Sequence, residues 1–101
     1  MANANYIAGT RFERERQHHY ESLGMDASRT AGSHGTWDVI ATDWDRGLVH
    51  HIQCKVVSNL TTAQRMARAF QSSPPFTPRA GCYQTLEVKV KGSKKVHSVT
   101  V

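Results

Sequence analysis

The sequence has few of the residues that mark secreted or membrane proteins. Only two of its 101 residues are cysteine and three are proline. Cys54 and Cys82 lack C-x-x-C spacing, which favours two buried, reduced thiols over a disulfide framework or a zinc site. No run approaches the ~18 apolar residues of a membrane span, and the first residues lack the charged-then-apolar order of a secretory signal. We therefore expect an intracellular, cytoplasmic protein with no membrane partner.

The balance of charge is basic. Thirteen Lys and Arg stand against eight Asp and Glu, which gives a net charge of +5. A basic balance in a small domain makes a polyanion a plausible partner, although many small basic domains bind no nucleic acid. Arg11, Arg65 and Arg68, on two predicted helices, are candidate DNA contacts. The length suits one domain with one modest core.

The order of turn signals and apolar runs predicts a single α/β domain over residues 1–101, with a loose start at 1–8. A helix begins at Gly9 or Thr10, with Thr10 as N-cap, and Gly24 stops it. A second helix is capped by Asn59 or Thr61 and runs to about residue 71. Strands are predicted at 25–30, 36–42, 48–57, 82–90 and 95–101. The order αβββαββ predicts a mixed five-stranded sheet flanked by helices, because the second helix serves as a parallel crossover.

Most of the candidate catalytic and metal-binding residues lie in the stretch 29–55. Asp38 lies in one apolar strand and a Gln-x-Lys triplet, Gln53 and Lys55, lies in the next; a polar turn ending at Gly47 joins them as a hairpin. Gln53 and Lys55 are two residues apart and so share a face. A carboxylate, an amide oxygen, the Cys54 backbone carbonyl and a lysine can hold a divalent cation beside a phosphate.

Each of these residues also has a structural interpretation. Asp38 alone is more often a strand-edge carboxylate than a ligand. Lys55 in the run IQCKVV can reach solvent from an exposed sheet face. Glu13, on the first helix, belongs to a charged surface that i,i+4 pairing would stabilise in water, yet it can also reach the same metal directly or through a water. The combination in two apolar strands favours a site, because a buried charge is costly unless it is paired or bound.

Several short motifs, in order and with similar gaps, resemble the archaeal-type Holliday junction resolvases of the PD-(D/E)xK (restriction-endonuclease-like) nuclease superfamily. The blocks are Gly9-x-x-x-Glu13-Arg14-Glu15, Arg29-Thr30-Ala31-Gly32-Ser33, Trp37-Asp38-Val39-Ile40-Ala41, Ile52-Gln53-Cys54-Lys55-Val56 and the strand LEVKV at 86–90. The resemblance covers roughly residues 9 to 91.

This resemblance implies a homodimer that binds four-way DNA junctions and resolves them by paired symmetric nicks with Mg²⁺, for which Mn²⁺ would substitute. Carried over by position, Glu13, Asp38, Gln53 and Lys55 form the catalytic site. The metal ligands would be Asp38, Gln53, Glu13 and the Cys54 carbonyl. Arg14, Arg29 and Ser33 would contact DNA phosphates. Exposed apolar residues such as Trp44 or Phe76 are candidates for the dimer surface.

One departure from the family pattern leaves alternatives open. Gln53 stands where the family usually has Glu, so an oxygen ligand is kept but its charge is lost. We expect weaker metal binding rather than loss of activity. The alternatives are another nuclease of the superfamily, flap- or sequence-specific, and a non-catalytic junction-binding module.

Overall fold

The elements follow one another in the predicted order. The computed structural model describes residues 4–30 and 35–101, with side chains from residue 7 onward; Ser33 lies outside the described residues. The helices and strands in this part of the chain are α1 (Ala4–Ser22), β1 (Asp26–Arg29), β2 (Val39–Asp43), β3 (Leu48–Val57), α2 (Leu60–Ser72), β4 (Cys82–Val90) and β5 (Val96–Thr100).

The five strands form one mixed sheet in the order β1-β2-β3-β4-β5. Strand β2 is antiparallel to both of its neighbours, β1 and β3, while β3 and β4 are parallel and β5 is antiparallel to β4. Helix α2 makes the parallel crossover from β3 to β4, as a connection between parallel strands requires. The predicted fold class is confirmed, with the ten-residue β3 at the centre of the sheet and β5 at an edge.

Local signals fix most of the element ends. Gly24 ends α1 with a φ of 87°, and the Met25 N–H donates to the Tyr20 carbonyl across this turn at 3.2 Å. Gly47 closes the β2–β3 hairpin with a φ of 69°. Asn59 caps α2, because its side chain accepts a hydrogen bond from the Thr62 amide at 2.8 Å. Glycine and asparagine have the expected roles at these positions.

The start of α1 was predicted wrongly. The helix begins at Ala4 rather than at Gly9 or Thr10, so Thr10 is an internal residue and not the N-cap, and residues 4–8 are helical rather than loose. Alanine at positions 4 and 8 favours helix, and a single internal glycine, Gly9, costs only about 1 kcal/mol relative to alanine. The capping-box pattern at Thr10 therefore did not mark a helix end.

The helices cover opposite faces of the sheet. Helix α1 packs Phe12 and Tyr20 on a cluster that includes Ile52 and Cys54 of β3. Helix α2 packs on the other face, where its buried residue Phe70 belongs to a second cluster with residues of β4. Both thiols are free, but only Cys54 is buried; the expectation of a buried Cys82 is wrong, because that residue begins an exposed strand end.

An ion pair lies within the buried contact between α1 and the sheet. Arg16 sits between Phe12 and Tyr20 on the inward face of α1, and it donates from Nε and Nη2 to the two carboxylate oxygens of Glu87, both at 2.9 Å. Ser98 of β5 donates to the same carboxylate at 2.7 Å. Only 2% of the Glu87 side chain is exposed. The ion pair thus holds α1 against β4 and fixes the rotation of the helix about its own axis.

The Cα radius of gyration is 13.4 Å, close to the ~13 Å expected of a single compact domain of this length. None of the helices in the described residues is long and apolar enough to cross a membrane.

We predict that Arg16→Leu lowers the free energy of unfolding by about 3 kcal/mol, because it leaves the Glu87 carboxylate buried without its partner. Chemical denaturation monitored by circular dichroism measures the change. The double variant Arg16→Leu/Glu87→Leu should recover most of the loss. As a control, Lys89→Ala removes the more exposed pair with Glu15 and should cost less than about 1 kcal/mol. Equal losses for Arg16→Leu and Lys89→Ala would contradict this account.

Candidate active site

Asp38 is clamped to the central strand at the point where β2 begins. Its backbone N–H donates to the Ile52 carbonyl at 2.8 Å, and its carboxylate Oδ2 accepts the Cys54 N–H at 2.8 Å. The Cys54 amide therefore donates to a side-chain oxygen where a strand amide normally donates to a backbone carbonyl, and this bond fixes the carboxylate against β3. The sequence-based pairing of Asp38 with the strand that carries Gln53 and Lys55 is confirmed in its backbone geometry.

Thr30, at the end of β1, holds Asp38 from the other side. The Thr30 N–H donates to the Asp38 carbonyl at 3.0 Å, and the Thr30 hydroxyl donates to the Trp37 carbonyl. No local pattern in the sequence distinguishes Thr30 from the other threonines, so this role could not be predicted. Its two bonds place the Trp37–Asp38 segment beside Arg29 and so bring β1 into the site.

Cys54 presents its backbone, not its thiol, to Asp38. The N–H of Cys54 and the carbonyl of Ile52 both bond toward β2. Because the N–H and C=O of one strand residue point to the same side, the Cys54 carbonyl also lies on the side of Asp38. Burial, followed by the charges of Glu87, Asp38 and Glu13, raises the pKa of the Cys54 thiol. A neutral thiol is a poor ligand, so the carbonyl is the donor this residue offers.

Glu13 projects from α1 toward the same place and is ion-paired with Arg29. Arg29 Nε and Nη2 both donate to Oε1 of Glu13 at 3.4 Å. Burial and, next, the negative charge of Asp38 raise the pKa of Glu13, although the positive charges of Arg29 and Lys55 oppose the rise. These interactions place Glu13, Asp38, Arg29 and Lys55 in one electrostatic group.

Gln53 and Lys55 lie on the α2 side of β3. Their strand neighbours in β4 are Leu86 and Val88, which belong to the core beneath α2. Lys55 is exposed, which agrees with a lysine that reaches solvent, yet its charge acts on Glu13. Gln53 lines a groove with residues of α2 and the segment after it, among them Phe70. The charges of Asp38 and Lys55 thus both act on Glu13, and strand alternation places Gln53 beside Lys55 on the same face of β3.

The candidate DNA-contacting arginines fall into three places. Arg11 and Arg14 are exposed on α1, where they line a shallow groove. Arg65 and Arg68 are exposed on α2, on the opposite face of the sheet. Arg29 is mostly buried, with 17% of its side chain exposed, in its pair with Glu13. The five arginines therefore do not form one continuous surface.

The donors suit a hard divalent cation such as Mg²⁺. Carboxylate, amide and backbone carbonyl oxygens are its preferred ligands in proteins, and the hydrogen bonds described for Glu13 and Asp38 in residues 7–30 and 35–101 use one oxygen atom of each carboxylate. Within the same residues, no three His, Cys, Asp or Glu side chains are grouped to hold a metal ion. A cation here would therefore depend on Gln53 and on the Cys54 carbonyl as well as on the two carboxylates.

The mixed five-stranded α/β fold is shared with a solved Holliday junction resolvase, which confirms the resemblance at the level of fold. Among solved structures, the chain is similar to Hjc, a Holliday junction resolvase from the archaeal hyperthermophile Archaeoglobus fulgidus, with a TM-score of 0.54 and 19% sequence identity. The match covers 91% of this chain and 83% of Hjc. No protein-family model matches the chain, and no curated protein matches it in sequence.

We predict that Glu13→Gln stabilises the protein more at pH 7 than at pH 4. The raised pKa means that ionising Glu13 in the folded state is unfavourable, so its contribution to stability is full at low pH and is lost as pH rises through the folded-state pKa. Thermal unfolding of both proteins at the two pH values tests this. Glu15→Gln, on the exposed side of α1, serves as control. A difference from wild type that does not change with pH would contradict the prediction.

Proposed function

We propose that this protein is a metal-dependent endonuclease that resolves four-way DNA junctions by paired symmetric nicks. The observation that carries the proposal is the clamp between Asp38 and the Cys54 amide. It fixes a carboxylate beside the Cys54 carbonyl and next to the Gln53–Lys55 pair. The fold shared with Hjc, a Holliday junction resolvase, supports the same assignment.

Each residue has a separate role in the proposed reaction. Asp38, Glu13, Gln53 and the Cys54 carbonyl would hold Mg²⁺ or, in its place, Mn²⁺. Such an ion, when bound, polarises a phosphodiester and lowers the pKa of an attacking water. Lys55 places a positive charge where negative charge develops on the phosphate during hydrolysis. Arg29 holds Glu13 in position through its two bonds to Oε1.

The proposed substrate is four-way junction DNA, and the proposed assembly is a homodimer acting in the cytoplasm. A symmetric pair of cuts needs two active sites related by a two-fold axis, which a homodimer provides. The net charge of +5 supports a polyanionic partner. Arg14, Arg29 and Ser33 are the proposed phosphate contacts near the site. Trp44 and Phe76, which are 75% and 57% exposed, remain candidates for the dimer surface.

Gln53 favours a second candidate function, a junction-binding module without catalytic activity. The amide keeps the ligand oxygen but leaves the site with two carboxylates, Glu13 and Asp38, one of which is already paired with Arg29. Such a module would bind junctions with a steep dependence on salt concentration and would not cut them at any concentration of Mg²⁺ or Mn²⁺.

A cleavage assay separates these functions. A labelled mobile four-way junction, a flap and a linear duplex of the same sequence are incubated with the protein while Mg²⁺ is titrated. Paired symmetric nicks in the junction alone would support the resolvase. Cleavage of the flap or the duplex would favour another nuclease of the superfamily. Junction binding without cleavage would favour the binding module.

We predict that Asp38→Asn and Lys55→Ala each lower the rate of junction cleavage by at least about 100-fold, the order of loss seen when one group that stabilises developing charge is removed. Junction binding, measured by gel shift in Ca²⁺, should remain. Asp43→Asn, at the far end of β2, is the matched carboxylate control and should cleave at the wild-type rate. Wild-type cleavage by either site variant would show that the catalytic residues are assigned wrongly.

We further predict that Gln53→Glu lowers the Mg²⁺ concentration needed for half-maximal cleavage by at least about tenfold. A carboxylate adds a full charge near the cation, and one close charge pair is worth on the order of 4 kcal/mol at an effective dielectric of 20. Gln71→Glu, exposed at the end of α2, adds the same charge away from the site and should change nothing. An unchanged Mg²⁺ requirement in Gln53→Glu would exclude this residue as a ligand.

A further inference from the structure

A pocket with aromatic walls lies beside the candidate active site and has no role in the proposed hydrolysis. Its volume is about 260 Å³, and Trp37, His51, Phe76, Arg79 and Gln84 are among the residues that line it. The ring centroids of Trp37 and His51 are 5.6 Å apart, and those of Trp37 and Phe76 are 6.0 Å apart. Three rings thus surround a space smaller than the ~300–1,000 Å³ of a drug-sized ligand site.

The pocket is built by specific bonds and not only by apolar packing. The side-chain oxygen of Gln84 accepts the Phe76 N–H at 3.0 Å, and its side-chain nitrogen donates to the Phe76 carbonyl at 2.8 Å. Gln84 is 5% exposed, so a buried amide fixes the loop that carries Phe76. Phe76 itself remains 57% exposed. A large aromatic residue held in place yet open to solvent is available for stacking, a role that excludes a dimer contact at the same residue.

The pocket is adjacent to the candidate active site. Trp37 directly precedes Asp38 in the chain. His51, Gln53 and Lys55 are spaced two residues apart and therefore lie on the same face of β3. The pocket wall at His51 is thus about 7 Å along the strand from Gln53. Arg79 adds a positive charge to the lining. A polyanion that also carries planar rings would match both the aromatic walls of the pocket and the positive charge of Arg79.

We propose that the pocket binds one unstacked nucleobase of a DNA strand whose neighbouring phosphate lies at Asp38 and Lys55. Aromatic side chains bind bases of any sequence by stacking on their π-faces, while cationic side chains follow the backbone. At a branch point, where strands exchange partners, bases are more easily unstacked than in duplex. The pocket would then help to select branched DNA. The placement of the phosphate at Asp38 and Lys55 and the role at a branch point rest on the proposed function, whereas base binding by the pocket does not.

The test uses Trp37 fluorescence. The chain has two tryptophans, so Trp44→Phe, a change at a 75% exposed hairpin residue, leaves Trp37 as the sole reporter. This protein is titrated with a short oligothymidine and with an oligonucleotide of equal length and charge whose sugars are abasic. We expect quenching and saturable binding with oligothymidine and about tenfold weaker binding of the abasic strand. Equal affinity for both strands, or no quenching, would overturn the proposal.

Variants then localise the effect. Phe76→Leu keeps an apolar side chain but removes the ring, and it should weaken oligothymidine binding by about tenfold without affecting the abasic strand. The matched control is Tyr83→Leu, because Tyr83 is a partly exposed aromatic residue that stacks on His50 across the sheet, 5.0 Å between centroids. It should bind as the parent does. Loss of binding in Tyr83→Leu but not in Phe76→Leu would overturn the assignment to this pocket.

The experiment is independent of cleavage. It contains no metal and no four-way junction, so base-dependent quenching together with an uncut junction would refute the nuclease and leave the pocket standing. Junction cleavage together with equal binding of thymidine and abasic strands would do the reverse. Thermal unfolding of each variant confirms that it is folded before the titration is interpreted.

Discussion

The Arg16–Glu87 ion pair is the interaction on which the site depends most. A guanidinium and a carboxylate placed under Phe12 and Tyr20 can be buried only if they meet in one geometry, since either charge alone would be expensive in that environment. The pair therefore fixes how α1 is rotated on the sheet. Glu13 lies one turn before Arg16 on the same helix, so the same contact sets where its carboxylate points.

The site is assembled from elements that are distant in the chain but adjacent in the sheet. Helix α1 provides Glu13, the end of β1 provides Arg29, the residue just before β2 is Asp38, and β3 provides the Gln53–Lys55 segment. No single element contains a working set of groups. The hairpin of β2 and β3 and the short β1 strand place three of these contributions side by side, and helix α1 adds the fourth from above one face.

Much of the fold was predictable because its signals are local. The apolar run of β3 and the alternating pattern of β4 predicted the same strand bounds that the structure shows. The predicted hairpin turn also placed Asp38 beside β3. The long-range pairs were not predictable: Arg16 and Glu87 are 71 positions apart, and each looked like an ordinary charged residue. The pocket at Trp37 likewise requires the loop at Phe76 to return to the sheet, and no periodic pattern encodes that return.

The bond between the Asp38 carboxylate and the Cys54 amide also gives the site an intrinsic spectroscopic reporter. Most amides in a central strand bond to neighbouring backbone and respond mainly to unfolding of the sheet. The Cys54 amide bonds to a side chain whose charge and orientation belong to the site. Its nuclear magnetic resonance frequency and its exchange with solvent deuterium would therefore follow the state of that carboxylate, while the amides around it follow the stability of the sheet.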